Sequence, residues 1–299
     1  MHHTPPPAVT PDPAPLAALL APARRIVALT GAGLSTESGI PDYRSPRPTP
    51  PSQPIRYLEF VRDADRRRRY WARSMAGWPA IAAARPNAGH HALARLEAAG
   101  RLHATITQNV DRLHQRAGSA RVIELHGALA EVRCLDCGAT TDRDALQHRL
   151  RAHNPGWLRG AVDTLHPDGD ATLARDDHDR FTVPDCQRCG GLLKPRVVFF
   201  GESVPPPRVA AAFAALAEAD ALLIAGTSLT VWSGLRFLRA AAERGIPIGL
   251  VNLGPVREGE RAAVWIPGPT GQILPALVDR LLESAPVITP AAAASPPPG

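Results

Sequence analysis

The sequence predicts an α/β fold, namely a Rossmann-like parallel sheet with helices on both faces and a smaller second domain. Short runs of β-branched and aliphatic residues alternate with helical patterns along the chain. The runs are apolar at successive positions, as in strands of a parallel sheet that helices cover on each side. Six such runs occur, at Ile26 to Thr30, His103 to Thr107, Val122 to Leu125, Val197 to Phe200, Ala221 to Thr227 and Ile246 to Asn252.

Two stretches interrupt this alternation and predict the smaller domain. Residues 54–86 have a helical pattern, and residues 131–193 hold all four cysteines and a polar stretch rich in aspartate and histidine. The chain is long enough for a large domain with a smaller satellite. The Pro/Ala-rich ends are expected to be disordered. The predicted boundaries are 1–15 for the first tail, 16–53, 87–130 and 194–284 for the sheet domain, 54–86 (helical module) and 131–193 (cysteine module) for the small domain, and 285–299 for the last tail.

Charge and hydropathy argue against two classes of partner. The formal net charge is +6, but the positive charge is nearly all arginine and is scattered along the chain, so nucleic acid is not the expected partner. The densest run, Arg66 to Arg69, fits a solvated helix face, with a local site for an anion or acidic partner as the alternative. The longest apolar stretch, Val209 to Ala225, is broken by Glu218 and Asp220, so no membrane partner is expected. Without a signal-peptide pattern, we expect a cytoplasmic protein.

The four cysteines form two Cys-x-x-Cys pairs, Cys134/Cys137 and Cys186/Cys189. Two such pairs can place four thiolates around one zinc ion in a closed site, which makes the metal structural rather than catalytic. The alternative is two local disulfides, which a reducing cytoplasm disfavours. The segment between the pairs is longer than in a zinc ribbon and is expected to loop out.

A glycine-containing loop follows the first predicted strand. The strand ends at Thr30 and continues into Gly31-Ala32-Gly33-Leu34-Ser35, where a dinucleotide-binding fold presents backbone N–H groups to a pyrophosphate. A standard fingerprint has a third glycine at the position of Thr36. The loop is therefore predicted to bind phosphate, with a tight structural turn as the alternative.

Several more specific motifs follow in order. The first is Gly39-Ile40-Pro41-Asp42-Tyr43-Arg44. The others are Thr107-Gln108-Asn109-Val110-Asp111, Glu124-Leu125-His126-Gly127, Val198-Phe199-Phe200-Gly201-Glu202, Gly226-Thr227-Ser228 and Val251-Asn252-Leu253-Gly254. This ordered set covers roughly residues 20 to 285 and resembles the sirtuin family. The Tyr70-Trp71-Ala72-Arg73 run and the long insert between the cysteine pairs look most like the class II branch, and the composition suggests a bacterial source.

The resemblance implies an NAD-dependent protein-lysine deacetylase or deacylase. Such an enzyme transfers the acyl group of a modified lysine to ADP-ribose and releases nicotinamide. It also implies NAD as cosubstrate, one structural zinc ion per chain that holds the small domain, and acylated-lysine proteins or peptides as partners. The sequence leaves the oligomeric state open, and a monomer is compatible with it.

His126 is the predicted catalytic base. The reaction needs a base that takes a ribose hydroxyl proton near neutral pH, and histidine has the suitable unperturbed pKa. His126 follows the strand Val122 to Leu125, at the carboxyl end where open α/β sheets bind ligands, and it matches the family's base. A structural histidine is the alternative.

Polar residues after the neighbouring strand complete the predicted NAD site. By resemblance, Asn109 orients the ribose and a water molecule, Asp111 hydrogen-bonds the nicotinamide carboxamide, and Gln108 contacts the ribose; a turn or helix-cap role is the alternative for Asn109. Arg44 pairs with a phosphate or stabilises its loop. The further residues that the resemblance assigns to NAD are Gly31, Ala32, Gly33, Ser35, Pro41, Asp42, Tyr43, Gly226, Thr227, Ser228, Asn252, Leu253 and Thr270.

The resemblance also implies a substrate cleft between the two domains. An extended peptide adds as a strand to the edge formed by Val198, Phe199, Phe200 and Gly201, and to the segment near Trp232 to Gly234, so backbone pairing gives low sequence selectivity. Arg196 stands where the family usually has aspartate. It puts contacts of that carboxylate in doubt and suggests a preference for acidic partners.

Tyr70 and Arg73 have the spacing of the pair that recognises acidic acyl groups in desuccinylating sirtuins. On a helix, this spacing places both side chains on one face. An arginine there favours succinyl, glutaryl or methylglutaryl groups. The alternative is an aromatic side chain in the core of the helical module beside a surface arginine.

Two other functions remain open from the sequence. Mono-ADP-ribosyl transfer to protein shares NAD and the departure of nicotinamide. A zinc-ribbon nucleic-acid-binding protein would account for the cysteines and the basic charge, but not for the glycine loop or for the motifs at Gln108 and His126.

Overall fold

The computed structural model describes residues 11–43, 54–157, 162–166, 169, 171–173 and 178–283. Six strands form a parallel sheet in the order β11-β10-β9-β1-β2-β3, which confirms the predicted parallel sheet. The strands in chain order are β1 (Ile26–Thr30), β2 (Leu102–Thr107), β3 (Val122–Glu124), β4 (Gly127–Cys134), β5 (Thr140–Asp142), β6 (Val162–Leu165), β7 (Ala171–Leu173), β8 (Leu193–Val197), β9 (Ala221–Ala225), β10 (Ile248–Val251) and β11 (Val264–Ile266).

Helices cover both faces of this sheet, because successive strand residues point to opposite sides. Val27 and Leu29 of β1 pack with the helices α7 and α8, whereas Ile26 and Ala28 pack with α1, α4 and α9 on the other face. Every side chain of β1 and β9 is buried, as the apolar runs predict. The helices are α1 (Ala14–Leu20), α2 (Tyr57–Arg62), α3 (Ala64–Ala83), α4 (Ala88–Ala98), α5 (Leu113–Arg116), α6 (Arg143–His153), α7 (Pro206–Ala217), α8 (Trp232–Glu243) and α9 (Thr270–Glu283).

The remaining strands form two smaller antiparallel sheets. Strand β4 lies between β5 and β8, and β6 pairs with β7 in a separate two-stranded sheet. The core beside β4 is aromatic: Trp71 and Phe60 are fully buried and pack with Tyr70 and Phe199. In the described part of the chain, no helix combines the length and apolar character that a membrane crossing requires.

The predicted strand Val197 to Phe200 is wrong in both extent and partner. The strand runs from Leu193 to Val197 and pairs antiparallel with β4 in the three-stranded sheet. It ends there because the chain turns: the Glu202 N–H donates to the Phe199 carbonyl at 3.0 Å. This small sheet therefore includes residues on both sides of the boundaries predicted at 131 and 194, and α1 begins within the predicted first tail.

Candidate active site

The carboxyl ends of β1, β2, β3 and β9 bring four predicted motifs to one edge of the parallel sheet. Gly31 follows β1, Gln108 follows β2, and Gly226 follows β9, while His126 comes two residues after β3. Open α/β sheets bind ligands at this edge. The sheet order therefore places the glycine loop beside the polar residues after β2.

The glycine loop packs against the backbone that follows β9. The Gly33 N–H donates to the Gly226 carbonyl at 2.8 Å, and a Cβ on Gly31 would lie 2.7 Å from Cβ of Thr227. Gly226 has a positive φ of 63°, and a Cβ there would overlap the Leu34 amide nitrogen. The loop continues as two short 3₁₀ turns, Ala32–Leu34 and Thr36–Ser38, so no α-helix begins where a standard fingerprint has its third glycine.

A chain of hydrogen bonds joins this loop to the residues after β2. Asn109 Nδ2 donates to the Gly31 carbonyl and to Ser35 Oγ, both at 3.0 Å. Ser35 Oγ in turn donates to Asp111 Oδ2 at 2.7 Å, and Asp111 Oδ1 accepts from the Leu113 N–H at 2.8 Å. Burial raises the pKa of Asp111, although these hydrogen bonds oppose the shift. Asn109 and Asp111 are therefore fixed against the glycine loop.

His126 is held between Gln108 and Ser233. Its Nδ1 lies 3.0 Å from the Gln108 carbonyl, and its Nε2 lies 2.7 Å from Ser233 Oγ at the start of α8. A carbonyl only accepts, so Nδ1 carries the hydrogen and Nε2 of the neutral ring is the acceptor. Burial, followed by the charges of Arg208 and Arg236, lowers the pKa of His126 to about 4, although the Gln108 hydrogen bond raises it. The ring is therefore neutral at pH 7, with its acceptor nitrogen toward α8.

A buried layer beneath the site was missed by the sequence analysis. Thr30 and Thr107, the last residues of β1 and β2, are joined by a hydrogen bond of 2.9 Å between their hydroxyl groups. His114 Nε2 lies 2.9 Å from Thr30 Oγ1, and the His114 ring meets that of His90 edge-on at 5.0 Å. Burial lowers the pKa of His114 to about 3 and that of His90 to about 4. The position of His114, three residues after Asp111, was the available signal.

Gln108 links the site to β9 and α8. Its Nε2 donates to Thr227 Oγ1 at 2.9 Å, and a Cβ on Gly234 would lie 2.6 Å from its Oε1. Of the other residues assigned to NAD, Tyr43 is exposed and Thr270 is buried at the start of α9. The other assigned residues lie on the loops around this edge, except Arg44, which lies outside the described residues. Asn252 is buried after β10, Leu253 is exposed, and the half-buried ones are Ala32, Pro41, Asp42 and Ser228.

The predicted substrate edge is a turn whose backbone groups are largely paired. The Val198 N–H donates to the His126 carbonyl at 2.8 Å, and the Phe200 carbonyl accepts from Tyr57 at 3.0 Å. Glu202 accepts from the Phe199 N–H at 2.9 Å. Phe200 remains 46% exposed beside Gly201, whereas Phe199 is buried in the aromatic core.

Tyr70 and Arg73 are both buried on α3. The Tyr70 ring packs against Phe199 at 5.3 Å, and Arg73 Nε donates to the Ala171 carbonyl at 2.7 Å. The alternative of a surface arginine is therefore wrong, because Arg73 is only 5% exposed. Whether the pair recognises acidic acyl groups stays a prediction.

The four cysteines converge into one site. Their Sγ atoms all lie within 4.8 Å of one another, and two contacts join the pairs: Cys134 with Cys189 at 3.5 Å, and Cys137 with Cys186 at 3.8 Å. All four cysteines are free, so the alternative of two local disulfides is wrong. Four convergent thiol groups fit a tetrahedral structural zinc ion.

Comparisons with known proteins agree with this architecture. The model of the Sir2 family matches residues 31–233. An NAD-dependent protein deacetylase 1 from Mycobacterium avium (strain 104) is 52% identical over 271 residues, which cover 89% of this chain and 94% of that protein. The mitochondrial NAD-dependent protein lipoamidase sirtuin-4 of Bos taurus is 47% identical over 260 residues, which cover 86% and 82%.

Solved structures match over nearly the whole chain. A Sir2 structure with a p53 peptide and NAD+ has a TM-score of 0.72 and 30% identity, and the match covers 91% of this chain and 98% of that one. A mutant Sir2 homologue in complex with ADP-ribose has a TM-score of 0.72 and 31% identity, covering 90% and 96%. On the family model, these relatives and the shared fold, the chain belongs to the Sir2 family, the sirtuins.

Proposed function

We propose that this chain is an NAD-dependent protein-lysine deacylase. It transfers the acyl group of a modified lysine to ADP-ribose and releases nicotinamide, and its partners are acylated-lysine proteins or peptides. The observation that carries the proposal is the position of His126, whose acceptor nitrogen lies at the sheet edge shared with the glycine loop, Asn109 and Asp111.

The proposed base is neutral His126. When bound, NAD supplies the ADP-ribosyl group that receives the acyl group as nicotinamide leaves. The Gln108 carbonyl holds the hydrogen on Nδ1, so Nε2 is free to take a ribose hydroxyl proton once Ser233 gives way. The low pKa of about 4 keeps the base in its accepting form throughout the neutral range.

Asn109 and Asp111 act by position. The side-chain N–H groups of Asn109 donate to the Gly31 carbonyl and to Ser35 Oγ. Its side-chain carbonyl therefore remains to orient a ribose hydroxyl or a water molecule. Asp111, whose pKa is raised by burial, lies on the same chain of hydrogen bonds through Ser35 and suits the nicotinamide carboxamide. Fixed polar groups of this kind align the leaving group without reorganisation.

The zinc ion is assigned a structural role. When bound by Cys134, Cys137, Cys186 and Cys189, it cross-links the end of β4 to the loop before β8. All four positions of a tetrahedral ion are then protein thiolates, so none is left for water. Cysteines that must stay reduced also support our proposal of a cytoplasmic protein.

Peptide-dependent release of nicotinamide tests the proposal. The assay uses acetyl-, lipoyl- and glutaryl-lysine peptides, and compares the unmodified protein with His126→Ala and with the exposed histidine His91→Ala as control. We expect release that needs an acyl peptide, falls at least roughly a hundredfold in His126→Ala and persists in His91→Ala. Release without any acyl peptide, with ADP-ribose on protein, would instead establish mono-ADP-ribosyl transfer.

The acyl preference has its own test. Arg73 is buried and contacts Ala171, and Tyr70 packs against Phe199, so Arg73→Ala also needs a stability control. A role in acidic-acyl recognition predicts that Arg73→Ala lowers kcat/KM for glutaryl-lysine more than for acetyl-lysine. An equal change for both substrates would leave Arg73 a structural residue.

A further inference from the structure

Two arginines flank His126 on the side of α7 and α8. Arg208 lies in the first turn of α7, and its Nη1 would be 2.9 Å from a Cβ on Gly127, the residue after His126. Arg236 lies one turn after Ser233 on α8, and Ser233 is the hydrogen-bond partner of His126. Both guanidinium charges act on the His126 ring. Arg208 and Arg236 therefore lie on the two helices beside His126, and both charges are felt by its ring.

The carboxylates near Arg208 are already paired with other cations. Glu124, Glu131 and Glu202 all act on the Arg208 charge, yet in the described chain none forms an ion pair with it. Burial and the neighbouring Arg196 lower the pKa of Arg208. The existing pairs are Glu124 with Arg112 at 3.1 Å, Glu202 with Lys194 at 2.9 Å, and Glu131 with both Arg112 and Arg196.

Arg236 also lacks a protein partner among the described residues. Its Nε is buried without a hydrogen bond, which is unfavourable unless a ligand or a water molecule accepts from it. Arg239, almost one turn further along α8, has Glu258 as its ion-pair partner. Neither α7 nor α8, both within the described chain, has an acidic residue in its first turn. The positive charge of Arg208 and Arg236 is thus left for a ligand.

We propose that Arg208 and Arg236 form a subsite for a substrate carboxylate beside the acyl-lysine. This inference rests on the proposed deacylase function. It replaces Arg196 as the source of an acidic preference, because Arg196 is occupied by Glu131. The carboxylate comes either from an acidic residue next to the modified lysine or from an acyl chain that ends in a carboxylate.

A carboxylate in this subsite also assists the base. His126 becomes an imidazolium when it takes a proton, and the two neighbouring guanidinium charges oppose that change. An anion between them offsets this repulsion while it pairs with the arginines. Binding of a carboxylate in the subsite should therefore change kcat as well as KM. An arginine with a purely structural role would change the kinetics of acidic and neutral substrates alike.

Four peptides separate the two sources of the carboxylate. An acetyl-lysine peptide with glutamate on both sides of the lysine is compared with its glutamine counterpart. A glutaryl-lysine peptide is compared with a pentanoyl-lysine peptide, both with neutral neighbours. For the pair that supplies the natural carboxylate, we expect a preference in kcat/KM of roughly tenfold, the size of one charge-assisted hydrogen bond.

The variants Arg208→Gln and Arg236→Gln should each reduce that preference to about two- to threefold, and together they should abolish it. Arg24→Gln, an exposed arginine before β1 and away from the active edge, removes the same charge and should keep the full preference. Arg236→Lys keeps the positive charge and should retain much of the preference for the carboxylate substrate. This variant separates the effect of charge from that of packing. Equal kcat/KM within both peptide pairs, or a preference that survives the double variant, would overturn the subsite while the deacylase function stands. No turnover of any peptide would overturn the deacylase function and the subsite with it.

Discussion

A substitution at Gly226 tests the close packing of the glycine loop against the backbone that follows β9. It combines a positive φ of 63° with direct contact to the glycine loop, where a Cβ would overlap the Leu34 nitrogen and lie 2.8 Å from the Gly33 carbonyl carbon. Gly245, at the end of α8, has nearly the same φ of 67° but has no atom within 4 Å of its Cβ position. The two glycines therefore share the conformational cost and differ in the overlap.

The magnitudes follow from these two terms. A left-handed conformation costs a non-glycine residue about 1–2 kcal/mol, which applies to both Gly226→Ala and Gly245→Ala. Overpacking adds about 1–3 kcal/mol, and it applies to Gly226 alone because the overlapping atoms are backbone. We expect Gly226→Ala to lose about 2–5 kcal/mol in the free energy of unfolding, against about 1–2 kcal/mol for Gly245→Ala.

Urea denaturation measures the stability term, and titration with NAD measures the consequence for binding. Gly226→Ala should displace the loop that holds Ser35 and Asn109, and should weaken NAD binding at least roughly tenfold. Gly245→Ala should bind NAD as the unmodified protein does. If the two variants match in both stability and NAD affinity, the packing of the loop on Gly226 is not what shapes the NAD site.

Three further predictions concern other parts of the molecule. Lys194, the only lysine of the chain, is buried, and its Nζ lies 2.9 Å from Glu202 Oε2. Lys194→Met should lower the free energy of unfolding in urea by about 2–4 kcal/mol, because it leaves the Glu202 carboxylate without its partner, and adding Glu202→Gln should restore part of the loss. A smaller loss, or one that Glu202→Gln does not restore, would mean that the ion pair does not stabilise the fold. Removal of zinc by a chelator, or Cys134→Ser, should lower the melting temperature and leave no peptide-dependent turnover, whereas unchanged melting would exclude a structural metal. His90, His114 and His126 have pKa values of about 4, about 3 and about 4, below the unfolded-state value of about 6.5. The unfolded chain therefore binds more protons as the pH falls, and the free energy of unfolding should drop by roughly 4–6 kcal/mol between pH 7 and pH 5. His114→Gln should remove about a third of this drop, and an unchanged pH dependence would mean that His114 is not buried in its neutral form.

The parallel sheet and its active edge were predictable because they follow from local patterns. Apolar runs predict buried strands, and parallel strands bring their carboxyl ends together, which places Asn109 and His126 at one edge without knowledge of the strand order. The cysteine pairs likewise predict their own convergence, because the ligand spacing within each pair is set by the metal.

Other features depend on contacts that no local pattern contains. The run Val197 to Phe200 is apolar enough for a strand, but periodicity does not say which sheet it joins, and its end is set by the turn at Glu202. The pairing of Lys194 with Glu202 and the layer of Thr30 with His114 depend on tertiary packing. The unpaired charges of Arg208 and Arg236 become visible only when every neighbouring carboxylate has been assigned to a partner.

The destination of the acyl group is the most direct test of the deacylase mechanism. A peptide with an acetyl-lysine labelled with ¹³C in the acetyl group is incubated with NAD and the zinc-loaded protein, and the products are weighed by mass spectrometry. The account predicts labelled acetyl-ADP-ribose, one molecule for each nicotinamide released, and its loss in His126→Ala. Labelled free acetate with unmodified ADP-ribose from the start of the reaction, or ADP-ribose attached to the peptide, would contradict it.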